Sequence, residues 1–176
     1  MSASTPVRLR PATHRDWFTI RTWLRRADIE DWWGPASATE AEVLMALEAP
    51  HAICRIIESV ATGEAIGYGH AVDATIWGDQ LPDDLEPGTW DIDLFIATEA
   101  HRGSGAGAAA LTLLKQEVFE TTLAVAVAVF PSIENERAVR AYEKAGFRWK
   151  RVWDDPISGP AWFMTAERSS PTRRAQ

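Results

Sequence analysis

A chain of 176 residues, 46% hydrophobic and 24% charged, has the ordinary globular balance and can bury one substantial core without disulfides or metal. Its formal charge of -7 disfavours broad binding to nucleic acid or to an anionic membrane and favours cationic partners. The lone Cys54 excludes an internal disulfide and a cysteine-rich zinc site and fits a reducing cytoplasm; among Ile53, Ile56 and Ile57 it reads as a small buried residue. No signal peptide starts the chain and no apolar run reaches the roughly 18 residues of a membrane span, so a cytoplasmic protein is expected. His14, His51, His70 and His101 are scattered without ligand spacing, so no metal is expected.

Residues 1–6 read as a leader, 7–167 as one domain and 168–176 as a flexible tail. A short strand at 7–10 is ended by Pro11. From Thr13, a fitting N-cap, Trp17, Ile20, Trp23, Leu24 and Ala27 recur at helical spacing, which predicts a helix ending near Ala27. Trp32 and Trp33 then sit beside Asp28, Glu30 and Asp31 until Gly34-Pro35 stops regular structure; the paired rings either cap the core or line a cleft. Thr39 opens a second helix through Leu47, with Glu42 three residues on as a capping-box partner. Strands at 51–59 and 65–72 form a hairpin about a turn at 61–64. Residues 73–88 are a polar connection carrying Trp77, Asp79, Asp83, Asp84 and Glu86, which Pro82 and Pro87 bar from a central strand. It reads either as a solvated acidic loop or as a binding loop.

In the strand 89–97, Trp90, Ile92, Leu94 and Ile96 point one way, and Asp91, Asp93 and Phe95 point the other. A helix at 108–119 follows, with Leu111, Leu114, Lys115 and Val118 at helical spacing, and then a near-continuous apolar run at 121–130 that predicts a strand buried on both faces. Residues 135–145 read as a helix ended by Gly146, and 147–153 with 161–166 pair as the last strands. The exposed end of the sheet leaves a monomer or a homodimer open.

Between strand and helix lies Arg102-Gly103-Ser104-Gly105-Ala106-Gly107. A small-residue turn there exposes unpaired backbone N–H groups at the positive end of the helix dipole, a cradle for phosphate. A Walker loop would need Gly-Lys-Ser/Thr, and here Ala108-Ala109 follows Gly107. The dinucleotide spacing Gly-x-Gly-x-x-Gly also fails, which leaves a phosphate turn or a simple tight turn.

This hexapeptide resembles the Arg/Gln-x-x-Gly-x-Gly/Ala coenzyme A motif of the GCN5-related N-acetyltransferases, and Asn135 through Phe147 resembles their second signature, Asn-x-x-Ala-x-x-x-Tyr-Glu-Lys-Ala-Gly-Phe. One helix and one strand separate the two, as in that family. The resemblance implies a mixed α/β (α+β) fold with a mostly antiparallel central sheet of about seven strands and about four helices, and acetyl-CoA as acyl donor. It implies that the turn residues Arg102, Gly103, Ser104, Gly105, Ala106 and Gly107 hold the pyrophosphate. It also implies that the strand through Phe95, Ile96 and Ala97 splays from the strand ending at Phe130, leaving amides free for the pantetheine arm and the thioester carbonyl. Tyr142 matches the tyrosine that protonates the departing thiolate, or else packs its helix on the sheet. Asn135 reaches the cofactor or caps that helix, and Ala138 belongs to the same signature.

An acceptor amine is mostly protonated at neutral pH, so a base must take a proton from it. Asp93 is the preferred base, directly or through water, with Asp91 beside it holding the cation; their repulsion raises one pKa. The pair also fits a solvated strand face. Within the superfamily the chain is most similar to the aminoglycoside 6'-N-acetyltransferases, through Ile29 to Gly34, Ile66-Gly67-Tyr68, Glu86-Pro87-Gly88, Ile92-Asp93 and Pro131 to Phe147. That resemblance implies a small cationic amine as substrate, with Trp32, Trp33, Tyr68, Asp79, Asp91, Asp93 and Phe130 at its site. The first acceptor it implies is the 6'-amine of an aminoglycoside. Such enzymes often have aspartate where this chain has Phe130, so one contact to cationic rings is missing, and polyamines, siderophore precursors or amino acid derivatives stand as other acceptors, with a non-catalytic acyl-CoA-binding module as a third reading.

Overall fold

The computed structural model describes residues 5–169. Its strands are β1 (Val7–Pro11), β2 (Ile53–Ser59), β3 (Ala65–Asp73), β4 (Thr89–Ile96), β5 (Ala126–Val129), β6 (Arg148–Asp155) and β7 (Gly159–Glu167). They form one sheet in the order β1-β2-β3-β4-β5-β7-β6, in which only β4 and β5 run parallel. The helices are α1 (Trp17–Leu24), α2 (Ala27–Trp33), α3 (Ala36–Glu48), α4 (Ala106–Thr121) and α5 (Glu136–Lys144), five where four were expected. Short 3-10 turns occupy His14–Asp16, Ala74–Gln80 and Glu99–His101.

The central strands are covered on both faces, while the edge strand β6 is largely exposed. Ile20, Leu24, Ile29 and Val43 from α1, α2 and α3 pack on Cys54, Ile56, Tyr68, Val72 and Phe95. Leu111, Leu114, Val118, Val139 and Tyr142 from α4 and α5 pack on Ile53, Ile92, Val127, Val129 and Met164. Alternation along β4 divides its side chains between these two cores as its sequence requires. Gly67 is demanded by the approach of β3 to β4, because a Cβ there would lie 2.3 Å from the Phe95 carbonyl oxygen.

Several expected boundaries move. Thr13 does cap, with Asp16 as its capping-box partner, but the helix it opens breaks at Arg25 and Arg26 and resumes as α2 through the tryptophan pair. No glycine or proline marks that break, and the chain is helical past Ala27, where the helix was expected to end. The start of α3 lies at Ala36, so Thr39 is not a cap; its hydroxyl donates to Pro35 and Ala36 carbonyls inside the helix, and Glu42 is free for another role. At the other end of the chain α4 runs on to Thr121, which confines the doubly buried strand to Ala126–Val129, while Leu123 is exposed.

Arg168, read as tail, is bound. Its guanidinium donates to the carbonyls of Phe119, Thr122 and Ala124, satisfying orphan acceptors where α4 ends, and its charge stands over the Phe119 ring. Thr5 and Pro6 likewise bond to Ser104 and Val60. The rest of the expected leader and tail, residues 1–4 and 170–176, lies outside the described residues.

Candidate active site

The site lies where the sheet opens. Pairing of β4 with β5 covers Thr89, Trp90 and Asp91 and stops there, while β4 continues to Ile96 against β3. Past Asp91 the β5 side of β4 is therefore unpaired. The Leu94 amide there donates to the Asp93 carboxyl at 2.8 Å, which fixes that carboxyl at the start of the gap.

Asp91 and Asp93 share the face that alternation predicts, but they are not a solvated pair. Asp91 is 7% exposed and accepts a 2.8 Å hydrogen bond from the Trp77 indole N–H. Burial raises its pKa to about 7, against the lowering effect of the Trp77 bond. The Asp93 carboxyl is held well above the usual range, first by burial and then by the charges of Glu42 and Asp91. A cation placed beside them would favour the ionised form of each.

At the far end of β4 the turn is built to leave amides open. Gly105 precedes α4 at φ 86°, a left-handed conformation that an L side chain would strain. The first helical bond runs from the Ala109 amide to the Gly105 carbonyl, so the amides of Ala106, Gly107 and Ala108 have no helical acceptor. Gly103, Ser104, Gly105, Ala108, Ala109, Thr112 and Lys144 line a depression of about 310 Å³. Arg102, expected among the residues that hold the pyrophosphate, has its guanidinium engaged by the protein itself. Its guanidinium donates to the carbonyls of Ile96 (2.8 Å) and Ala97 (2.9 Å) and pairs with Asp28 of α2 at 2.6 Å, which braces the strand end.

Tyr142 projects from α5 and is buried, its phenol kept neutral by burial and by the carboxylates of Asp93 and Asp91. Asn135 caps α5, its side-chain oxygen accepting from the Ala138 amide at 3.1 Å. Trp33 packs edge-on against Phe95 at 4.8 Å and near Tyr68 at 6.5 Å, whereas Trp32 is 52% exposed. Tyr68 is fully buried under these rings, and Phe95 belongs to the same core. Beyond β5, Phe130 stacks on Phe163 at 5.3 Å and meets Trp153 at 5.2 Å. Asp79 is exposed, and Asp84 pairs with Arg151, tying the acidic connection to β6.

Four residues escaped the sequence reading. Trp77 stood in a polar connection, yet a large ring in such a segment needs a place to bury, and here it clamps the loop to Asp91. Glu42 was absorbed by the capping-box reading, although its spacing from Thr39 and Ala46 put an acid beside the buried stripe of α3. His70 pairs with Asp93 in the β3–β4 register. Lys144 was read only as part of the second signature, and nothing local marked it as a neighbour of the glycine turn.

A family model described as an acetyltransferase (GNAT) domain matches residues 12–154. The aminoglycoside N(6')-acetyltransferase type 1 of Klebsiella pneumoniae is 30% identical over 96% of this chain and 87% of its own length. A kanamycin resistance protein of Rhizobium radiobacter is 32% identical over 50% of the chain and 81% of its own length. Among solved structures, the aminoglycoside acetyltransferase AAC(6')-Ib in complex with coenzyme A and kanamycin has a TM-score of 0.80 at 30% identity, covering 93% of this chain and 95% of that one. The same enzyme in complex with parmomycin and acetyl-CoA gives a TM-score of 0.79 at 30% identity, covering 92% and 93%. With its splayed sheet, its open turn and a family match over most of its length, the chain belongs to the GNAT acetyltransferases.

Proposed function

We propose that this enzyme transfers the acetyl group of acetyl-CoA to a primary amine of a small cationic substrate, the 6'-amine of an aminoglycoside. The observation that carries the reading is the Asp91–Asp93 pair, the first buried and the second half-buried, at the point where β4 and β5 part. Acetyl-CoA supplies the activated thioester. The open amides of Ala106, Gly107 and Ala108, with the glycines before them, fit its pyrophosphate, and the small side chains of the depression leave room for it.

Asp93 takes the proton of the bound ammonium and Asp91 balances its charge. A cation in the cleft favours ionisation of both carboxyls, so substrate entry turns Asp93 from a neutral acid into a base. The β4 backbone past Leu94, whose own amide is taken by Asp93, donates to the thioester oxygen as charge develops on it. Tyr142, protonated because its phenol is buried near two acids, gives its proton to the departing thiolate. Arg102 holds the strand end and the turn in fixed relation.

Release of coenzyme A thiol, followed across aminoglycosides with a free 6'-amine, tests this reading. Amine-dependent release supports it, and a panel with no release above background overturns it. A second reading, acetylation of a polyamine or another simple amine, is favoured by the Phe130, Phe163 and Trp153 cluster, an aromatic wall where relatives often have an aspartate. Simple polyamines in the same panel separate the two.

A further inference from the structure

Beside Asp93 lies a group that this reaction leaves unused. His70 stands opposite Asp93 in the β3–β4 register, and opposed residues on one face have Cβ atoms about 4.5–5.5 Å apart. Its side chain has no exposure, and neither ring nitrogen has a hydrogen-bond partner. Rings of Tyr68 (5.7 Å), Trp33 (6.0 Å) and Trp77 (6.3 Å) enclose it. Buried polar groups are normally paired, so an open imidazole at this position points to a partner in the cleft.

The partner at hand is Glu42, whose Oε1 lies 3.6 Å from His70 Nε2, slightly beyond a hydrogen bond. Glu42 comes down from α3 on the edge of its buried stripe. Its side chain keeps 32% exposure, yet the surrounding protein is dense enough that burial, followed by Asp91 and Asp155, pushes its pKa up to about 7. Glu42 in turn is the first charge acting on Asp93. The titratable groups around the cluster are Asp91 and Asp93 of β4, Glu42 of α3, Asp155 of β6, Tyr142 of α5, and Tyr68 and Cys54 of β3 and β2.

We propose that Glu42, held in place by His70, is a third carboxylate of the acceptor subsite, beside Asp91 and Asp93, and carries the amine's proton from Asp93 out to solvent. The proposal rests on the acetyltransferase reading above. The ammonium N–H bond breaks and its proton joins Asp93, freeing the lone pair for attack. That proton passes, directly or through water, to the Glu42 carboxylate, which gives it to water at the cleft mouth. His70 takes no net proton. Burial lowers its pKa to about 4, so it is a neutral donor and acceptor that fixes Glu42.

Three variants and two readouts test this. Glu42→Gln removes a like charge next to Asp93, so the acid limb of kcat/KM for the amine moves to lower pH, and kcat falls about 100-fold as the proton loses its exit. The KM for acetyl-CoA stays unchanged. His70→Phe gives the same altered profile, whereas His70→Gln, still a neutral donor and acceptor, restores the wild-type profile. An unmoved acid limb in Glu42→Gln, or His70→Gln behaving as His70→Phe does, overturns the proposal. Without substrate, carboxyl-carbon NMR of the labelled protein reads the same coupling, and the Asp93 titration falls to lower pH in Glu42→Gln. If the wild-type protein acetylates no amine, the acetyltransferase reading fails; this titration still decides the Glu42–Asp93 link, and an unchanged Asp93 curve ends it.

Discussion

Replacing Asp91 with asparagine is expected to stabilise the fold, and to do so only above acidic pH. The carboxyl is 7% exposed, and burial raises its pKa from 3.8 to about 7 in spite of the Trp77 bond. Its folded value thus lies above its unfolded value. Between about pH 4 and 7 the unfolded chain has released this proton and the folded chain has kept it, so stability falls as pH rises, by about 1.4 kcal/mol per pH unit. Across roughly 3 units the loss reaches about 4 kcal/mol; it is complete above pH 7 and absent well below pH 4. Asparagine cannot ionise, and its side-chain oxygen still accepts from the Trp77 N–H. In a chain of this length 1 kcal/mol moves Tm by about 2–4 °C, so Asp91→Asn melts on the order of 10 °C higher than wild type at pH 8 and nearly with it at pH 4. Paired thermal melts across that range, followed by circular dichroism, make the comparison. A gap of the same size at every pH, or a variant that melts lower at pH 8, would refute the reasoning. The gain in stability has a functional counterpart, because the variant also loses a partner for the ammonium and its KM for the amine rises.

Asp93→Asn is expected to lower kcat about 10²- to 10⁴-fold while calorimetry shows unchanged acetyl-CoA affinity; a variant that keeps wild-type kcat would remove Asp93 from the role of base. Tyr142→Phe preserves the packing of α5 but not the acid, so steady-state kinetics show kcat down about 100-fold at constant amine KM. Arg102→Ala strips the Ile96 and Ala97 carbonyls of their donors and Asp28 of its partner. It costs about 1–3 kcal/mol in denaturant unfolding and raises the KM for acetyl-CoA, whereas a free surface cation at that position would leave stability untouched.

The elements that the sequence made legible are those whose signals are local. Alternation in β4 sorted its side chains onto two faces, the turn before α4 announced open amides, and the turn at 61–64 announced the hairpin of β2 and β3. Boundaries failed where tertiary contacts overrode local preference. The break at Arg25 and Arg26 has no sequence breaker. Arg168 looked like tail because its acceptors, three carbonyls at the end of α4, are more than forty residues away in the chain. Arg102 shows the same limit in the site itself: its motif position suggested a phosphate ligand, while its bonds make it a brace.

The carboxyls of the cleft show why a motif locates a site more readily than it explains the chemistry there. Asp91 and Asp93 were visible as a pair because they occupy one strand. Their proton affinities depend on burial, on an indole fourteen residues upstream and on an acid from α3. Glu42 obeyed a capping rule on paper because Thr39 stood three residues before it; α3 began one turn earlier, and the same side chain reached the cleft instead. His70 had no local signal at all. A histidine on a buried strand face is most simply a packed ring, and only its register against Asp93 and its two unpartnered nitrogens give it a chemical reading. The electrostatics that would turn Asp93 into a base are therefore set by residues from different elements, and the acid limb of the pH profile is where their coupling is measured.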